Sequence, residues 1–514
     1  SSSLSPVTEF LDYKVIDNDE FNINNMGCTW YFDKFDITLQ RKYDFVFENL
    51  VTSRKVKMKS EVASKNGTPA TFQFKYKDNA LYSKTFKPIT SAYVYANMDS
   101  TNVLIFNATE SPISITVNYN RTSTSSVGWL NYISVNAWRQ LIMTGNTMMF
   151  RNPECSNPAE VYQYQLRNVS NAVKIWDVTN PIEPKIMNTV LDGSTLRFNV
   201  YGAQDNEFIA FDGASYNKVA FVGVVENQNL HAKKDIDYLI VTNPLFQPHA
   251  ERLKEIHSRI DDLVIDIVQP QYIYNEFSCG AQDISAIRNF IKMLYNNSSE
   301  EHRLKYVLLL GDASYNYKDP AVCLVPTWES KNGCIITSSV VTDDFFVCLD
   351  DDEGVMDNKS SIIDIPIGRM PVSTVEQATN VIDKIEAYLS KDAKAMDSWR
   401  NVVTFVCDDE DTYFIYNSET IAKSLPKWGG DVVVDKIYLD AYQQVATASG
   451  QRCPDINEAI SNRIEKGTLV LNYNGHGGEI GWGDERILTI DDILSWENSP
   501  MLPLFFTATC EFSR

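Results

Sequence analysis

The sequence is short of histidine, with five residues among 514. Side chains that titrate near neutral pH are therefore nearly absent, and each one in an unusual setting counts. Nine cysteines are present, but none falls in a Cys-x-x-Cys pair, so neither a zinc ribbon nor a dense disulfide framework is indicated. Their odd number leaves at least one thiol free. Basic residues are outnumbered, 46 against 67 acidic, for a net charge of -21. That balance sets most of the surface against a phosphate backbone or an anionic membrane, and nucleic acid drops out as an expected partner. No apolar run reaches membrane-spanning length, and the opening SSSLSPVTEF is neither a signal peptide nor an anchor, so an exported protein would already have lost its leader. GDASYN, at 311–316, lacks the lysine and spacing of a phosphate loop.

What is abundant is tyrosine (26) and phenylalanine (25), which favours strands. Up to about residue 234, short alternating runs such as ISITVNYN (113–120), NAVKIWDV (171–178) and NKVAFVGVV (217–225) are separated by Gly, Asn, Asp, Ser and Pro clusters. An all-β, sandwich-like region is expected there, divided near TSTSS into domains 1–126 and 127–234. From DYLIVTNPLF onward, aliphatic strands alternate with amphipathic helices, which predicts mostly parallel sheets covered on both faces. Two α/β subdomains are expected, 235–396 and 397–514. In such sheets chemistry gathers beyond the carboxyl ends of the strands.

Three strands of the last set end in reactive residues. VVTFV leads into Cys407, Asp408, Asp409 and Glu410; TLVLNYN into Gly475, His476 and Gly477; LPLFFTAT into Cys510. A thiol is a nucleophile only as thiolate, and a nearby imidazole raises that fraction while a carboxylate holds the ring in its useful tautomer. Gly475, Gly477 and Gly478 lack Cβ, which permits unusual φ/ψ and lets a substrate main chain approach. The amides of Gly477 and Cys510 are candidates to hold an oxyanion. Cys407 is a rival thiol, disfavoured because the acidic residues that follow it would raise its pKa.

LVLNYNGHGGEIGWGDE followed by LPLFFTATCEF resembles the histidine and cysteine motifs of the gingipain-type (C25) cysteine peptidases, clan relatives of caspases. EFSCGAQDISAIRNF, KYVLLLGDASYNY, TDDFFVCLDDDEG and IPIGRMPVST resemble the cell-surface members that serve type IX secretion. The resemblance runs from about residue 237 to the end, and it implies a caspase-like α/β catalytic domain. It also implies Cys510 as nucleophile, His476 as its base and Asp409 or Glu410 as the acidic partner, with Asp409 favoured. Arginine-specific members carry a specificity aspartate where this chain has Phe414 or its neighbours, so a preference for basic residues is not implied. The activity implied is removal of the C-terminal signal domain of secreted cargo and transfer of the new carboxyl end to anionic lipopolysaccharide. The partners implied are that cargo, the glycolipid and the outer-membrane protein PorV, and the location is the bacterial cell surface, peripheral to the outer membrane. Family domains continue past the nucleophile, so a chain ending at Arg514 reads as a fragment, truncated after the nucleophile, that would hold Cys510 poorly.

No cofactor is required by this chemistry. Asp343, Asp344, Asp350 and Asp352 in TDDFFVCLDDDEG could hold a structural Ca²⁺ or form a solvated acidic turn. Two other functions remain open on sequence: an inactive caspase-like scaffold presenting a β-rich partner- or glycan-binding region, and a carbohydrate-binding adhesin built from the β domains.

Overall fold

The computed structural model describes residues 6–213, 218–356, 361–428, 431–448 and 450–510. The chain forms two compact units, one of residues 1–231, 282–291 and 313–364 and the other of residues 232–281, 292–312 and 365–514.

The first unit is built on two β cores. Strict in/out alternation, as in Ala70–Tyr76, buries Phe72, Phe74 and Tyr76 on one face. These residues meet Ile113, Ile115 and Val117 of Ile113–Arg121 and Val56, Met58, Leu130 and Ile133 of a facing sheet in one apolar cluster. The second core gathers Phe150, Tyr164, Phe198 and Phe208, whose rings pack at 5.1–6.2 Å between centroids. Both are two-layer sandwiches, as the alternating runs predict.

The division expected at 126/127 falls elsewhere in the structure. Val127–Gln140 pairs with both Glu9–Ile16 and Lys55–Lys65, so the first sandwich continues through it, and the second core draws on Val7 and Phe10 as well as on residues from Leu141 onward. Residues 313–364, expected inside an α/β subdomain, group with the β unit. Backbone contacts account for that grouping: Cys28 N–H donates to the Ser330 carbonyl at 3.1 Å and Tyr95 N–H to that of Cys334 at 2.8 Å. The run 217–225 forms no strand over its described part, and Val219, Phe221, Val222 and Val224 are exposed.

In the second unit the strands are β1 (Tyr238–Thr242), β2 (Ile265–Val268), β3 (Tyr306–Leu310), β4 (Ile367–Met370), β5 (Val402–Cys407), β6 (Val433–Tyr438), β7 (Val470–Asn474) and β8 (Leu504–Ala508). They form two all-parallel sheets, ordered β2-β1-β3-β4 and β6-β5-β7-β8. Parallel strands need crossovers, supplied in the second sheet by the helices Thr412–Ser424 and Pro454–Lys466 and by the segment around Ile490–Leu494. Ile456, Ile460 and Ile464, spaced at helical period, bury one face of Pro454–Lys466 against Val406, Leu471 and Tyr473.

One buried ion pair ties the long strand of the first unit to its neighbour. Arg139, 5% exposed, donates to Asp12 Oδ2 at 2.8 Å, to the Glu48 carbonyl at 2.6 Å and to Thr144 Oγ1 at 3.0 Å. Removing one partner of such a pair strands the other, at about 3–5 kcal/mol. Arg139→Ala should therefore lower the urea midpoint of the first unit by that equivalent, whereas truncating an exposed residue of the same strand should leave it unmoved.

Candidate active site

β5, β7 and β8 lie side by side, with Cys407 opposite Asn474 and Asn474 opposite Ala508. His476 is the second residue after Asn474, and Cys510 the second after Ala508. Parallel neighbours run about 4.8 Å apart, so equal register delivers imidazole and thiol to the same edge of the sheet. Past the paired region, the Gly475 N–H still donates to the Ala508 carbonyl at 3.3 Å. A Cβ on Gly477 would lie 2.4 Å from Thr509 Oγ1 and 3.0 Å from the Cys510 carbonyl oxygen. The two loops thus touch where the side chains emerge, and both His476 and Cys510 are exposed.

The histidine backbone is clamped. Its N–H donates to Asp408 Oδ2 at 2.9 Å, and its carbonyl accepts from Tyr473 Oη at 2.5 Å and from the Gly483 N–H at 2.8 Å. Tyr473 in turn stacks on Trp482, 4.1 Å between centroids and 4° from parallel, and both rings are buried. After His476 the chain folds into a small hairpin, Gly477–Gly478 against Gly481–Trp482. Gly475 and Gly477 answer to packing rather than to left-handed backbone, whereas a Cβ on Gly478 would meet open space. None of Gly475, Gly477 and Gly478 has positive φ, while a Cβ on Gly475 would fall 2.4 Å from Asp408 Cβ and 2.5 Å from Tyr473 Oη.

On the ring itself, Nε2 lies 3.5 Å from Glu410 Oε2, an ion-pair distance longer than a good hydrogen bond. The Phe414 ring meets the imidazole edge-on, centroids 5.2 Å apart. The structure sets Glu410 beside the imidazole. Asp409, favoured on resemblance, turns its Oδ2 to Gln444 Nε2 at 2.6 Å instead. Asp408, to which the sequence reading gave no role, is fully buried and holds two backbone amides, those of His476 and Asp409. Its signal was available: an acid placed directly after a strand buried on both faces has no route to water.

Cys407 is buried, with Sγ 3.1 Å from Ser418 Oγ. Burial pushes its thiol up to about 11, with Glu419 and Asp408 adding smaller increments. Depth, more than the acidic neighbours, makes it unreactive.

The four aspartates of the loop at 343–352 are spread around a buried aromatic turn, Phe345–Val347. Asp343 accepts from Thr327 Oγ1 at 2.8 Å, and the Asp350 N–H donates to Glu353 at 3.2 Å. Among the described residues, the acidic side chains that converge are Asp408, Asp409 and Glu485, with one oxygen of each within 4.8 Å of the others.

An imidazole and an exposed thiol leaving adjacent parallel strands at one register, with a carboxylate beside the ring, are the groups that a cysteine peptidase site requires. The chain belongs to peptidase family C25, whose family model matches residues 231–514. Gingipain R2 and gingipain R1 of Porphyromonas gingivalis are each 23% identical to it over 229 residues, 44% of this chain and 26% and 19% of theirs. The chain thus spans about a quarter of the length of those relatives or less. The crystal structure of dimeric latent PorU from the same organism superposes with a TM-score of 0.67 at 20% identity, over 96% of this chain and 44% of that one.

Two outcomes follow. Iodoacetamide should modify Cys510 in the native protein and leave Cys407 untouched until denaturant is added, as read by peptide mass mapping. Second, burial first, and neighbouring carboxylates after it, raise Asp409, Glu410 and Glu485 above the ordinary carboxylate range. An acid whose folded pKa exceeds its unfolded one costs stability as it ionises, a cost absent below the ordinary value and fully present above the raised one. Glu485→Gln should therefore melt higher than the parent near pH ~7 in metal-free buffer and lose that advantage near pH ~4.

Proposed function

We propose that the protein is a cell-surface cysteine endopeptidase and transpeptidase of the sortase type. In this reading it cuts the C-terminal signal domain from cargo of the type IX secretion system and joins the new C-terminus to anionic lipopolysaccharide. The observation that carries the peptidase chemistry is the shared register of His476 and Cys510 on β7 and β8. Support for the narrower role comes from the motif resemblance and from the likeness in fold to PorU over 96% of the chain.

With Nε2 facing Glu410, Nδ1 is the nitrogen left for the thiol. It takes the proton of Cys510 Sγ, and the thiolate attacks the scissile carbonyl carbon. The oxyanion that forms would be held by the amides of Gly477 and Cys510. Collapse breaks the C–N bond, the imidazolium returns its proton to the leaving amine, and a thioester remains on Cys510. Water resolves it to a peptide acid; an amine of the acceptor resolves it to an amide. Edge-on Phe414 is an apolar neighbour to this ring, so nothing here calls for a basic residue before the cut. Cargo signal domains, the glycolipid and PorV are the partners in this proposal, and the setting is the outer-membrane surface.

Kinetics on a cargo-derived peptide test it. His476→Ala should lower kcat/KM by about 10³-fold or more, because base and nucleophile act as one unit. Glu410→Gln should lower it by less than about tenfold, because a half-exposed ion pair is worth at most about 1 kcal/mol. Equal losses for the two, or cleavage that survives Cys510→Ala, would remove the thiol mechanism. An amine nucleophile added to the assay should divert product from acid to amide; acid alone would leave a peptidase without transfer.

A further inference from the structure

Behind the histidine loop lies a second chemical feature that peptide cleavage does not use. Asp408, on the loop after β5, is fully buried; Glu485, on the loop after the glycine hairpin, is 5% exposed; and Asp409 lies between them, partly buried. One oxygen from each falls within 4.8 Å of the other two. Among the described residues, none of the three makes an ion pair with lysine or arginine.

The existing hydrogen bonds occupy only part of this group. Asp408 spends Oδ2 on the His476 amide and Oδ1 on the Asp409 amide, and Asp409 spends Oδ2 on Gln444. Glu485 Oε2 is buried and has no hydrogen-bond partner at all. Gly483 leaves the space beside it open: with φ at +64° and no side chain, a Cβ there would sit 3.5 Å from Glu485 Oε2 and 3.9 Å from each Asp408 oxygen.

We propose that Asp408, Asp409 and Glu485 form a binding site for a hard divalent cation of the calcium class, seated beneath the loop that carries His476. Oxygen-only donors and three carboxylates exclude a preference for soft metals. Calcium, at about 2.3–2.6 Å from each oxygen, spans separations of the kind seen here with little movement, whereas magnesium at about 2.0–2.1 Å demands a tighter cluster. A shared proton is the competing way to relieve the repulsion, yet a protonated Glu485 would still need an acceptor for its O–H, and Oε2 has none. The burial that raises the carboxylates of Asp409 and Glu485 is the penalty a bound cation would offset. Because Asp408 also holds the His476 amide, filling the site would fix the height of the imidazole above the sheet.

This inference is independent of the peptidase reading and is tested without turnover. The intact protein carrying Cys510→Ala is stripped with chelator and titrated with Ca²⁺ by calorimetry and with Tb³⁺ by luminescence. Glu485→Gln is then added to that background, alongside Asp409→Asn and, as a control for the other acidic loop, Asp344→Asn. Far-ultraviolet circular dichroism establishes that each variant is folded. The expected result is one binding event that weakens at least tenfold in Glu485→Gln and in Asp409→Asn and is unchanged in Asp344→Asn. Thermal melts should cross, with Glu485→Gln the more stable protein in chelator and the less stable one in saturating calcium. Absence of calcium binding, its survival unchanged in Glu485→Gln, or its loss in Asp344→Asn would overturn the proposal. Should Glu485→Gln fail to fold, Asp409→Asn decides alone.

Discussion

The pairing of β7 with β8 is the constraint on which the candidate active site depends. Two consecutive strands in sequence, joined through the segment around Ile490–Leu494, become parallel neighbours with Asn474 opposite Ala508. A slip of one residue in that register would turn every side chain on β8 to the opposite face and move the sulfur along the edge by a residue's rise. No side-chain contact between imidazole and thiol is needed to hold them together; backbone hydrogen bonds do it, and the contact of Gly477 with Thr509 and Cys510 extends the grip past the last paired residue. The apolar run of β7 and the burial of Leu471, Asn472 and Tyr473 fix the register from the other side, because a shifted strand would lose its place against Ile456 and Ile460.

A second layer of support holds the histidine loop from below. Asp408 acts through its carboxylate on the His476 amide, Tyr473 through its hydroxyl on the His476 carbonyl, and Trp482 holds Tyr473 by stacking. Each of these residues comes from a different position in the chain, and each is buried. The glycines are the counterpart of this clamp: Gly475 is there because Asp408 and Tyr473 already fill the space a Cβ would take. A histidine whose backbone is pinned at both polar groups has little freedom beyond rotation of its own ring, which is the freedom a general base uses.

Much of this was legible in the sequence, for a physical reason. Parallel strands of this kind are continuous apolar runs, so their ends are visible, and His476 and Cys510 fall just past two of them on one edge of the sheet; the expected cover on both faces is not found at β8, whose residues are exposed. Strand and helix order through the second unit followed from the same pattern. The choice between Asp409 and Glu410 was not legible, because consecutive residues of a loop point in directions that only the folded backbone decides. Periodicity also overstated the run at 217–225, whose apolar residues stand in water over its described part, since alternation reports a capacity to pair and not the presence of a neighbour. Density of carboxylates in sequence is a different signal from convergence in space: among the described residues, Asp408 and Glu485, 77 positions apart by number, converge with Asp409.

Depth relative to the sheet separates the two thiols that end strands of this sheet. Cys407 is the last residue of β5 and is buried, with its sulfur against the Ser418 hydroxyl and the Phe414 carbonyl, and forming a thiolate there means placing a charge in an apolar environment. Cys510 lies two residues past the end of β8, a strand exposed along its whole length, and water reaches it. An imidazole could serve either sulfur in principle, but Cys510 is the exposed one, whereas burial pushes Cys407 up to about 11. The same logic runs through the acidic residues next to them: Asp408, inside the layer, is used on backbone amides, and Glu410, two residues further out and partly solvated, is the one that meets the ring. Distance past the end of β5 thus separates buried Asp408 from exposed Glu410, while exposure of the whole of β8 accounts for that of Cys510.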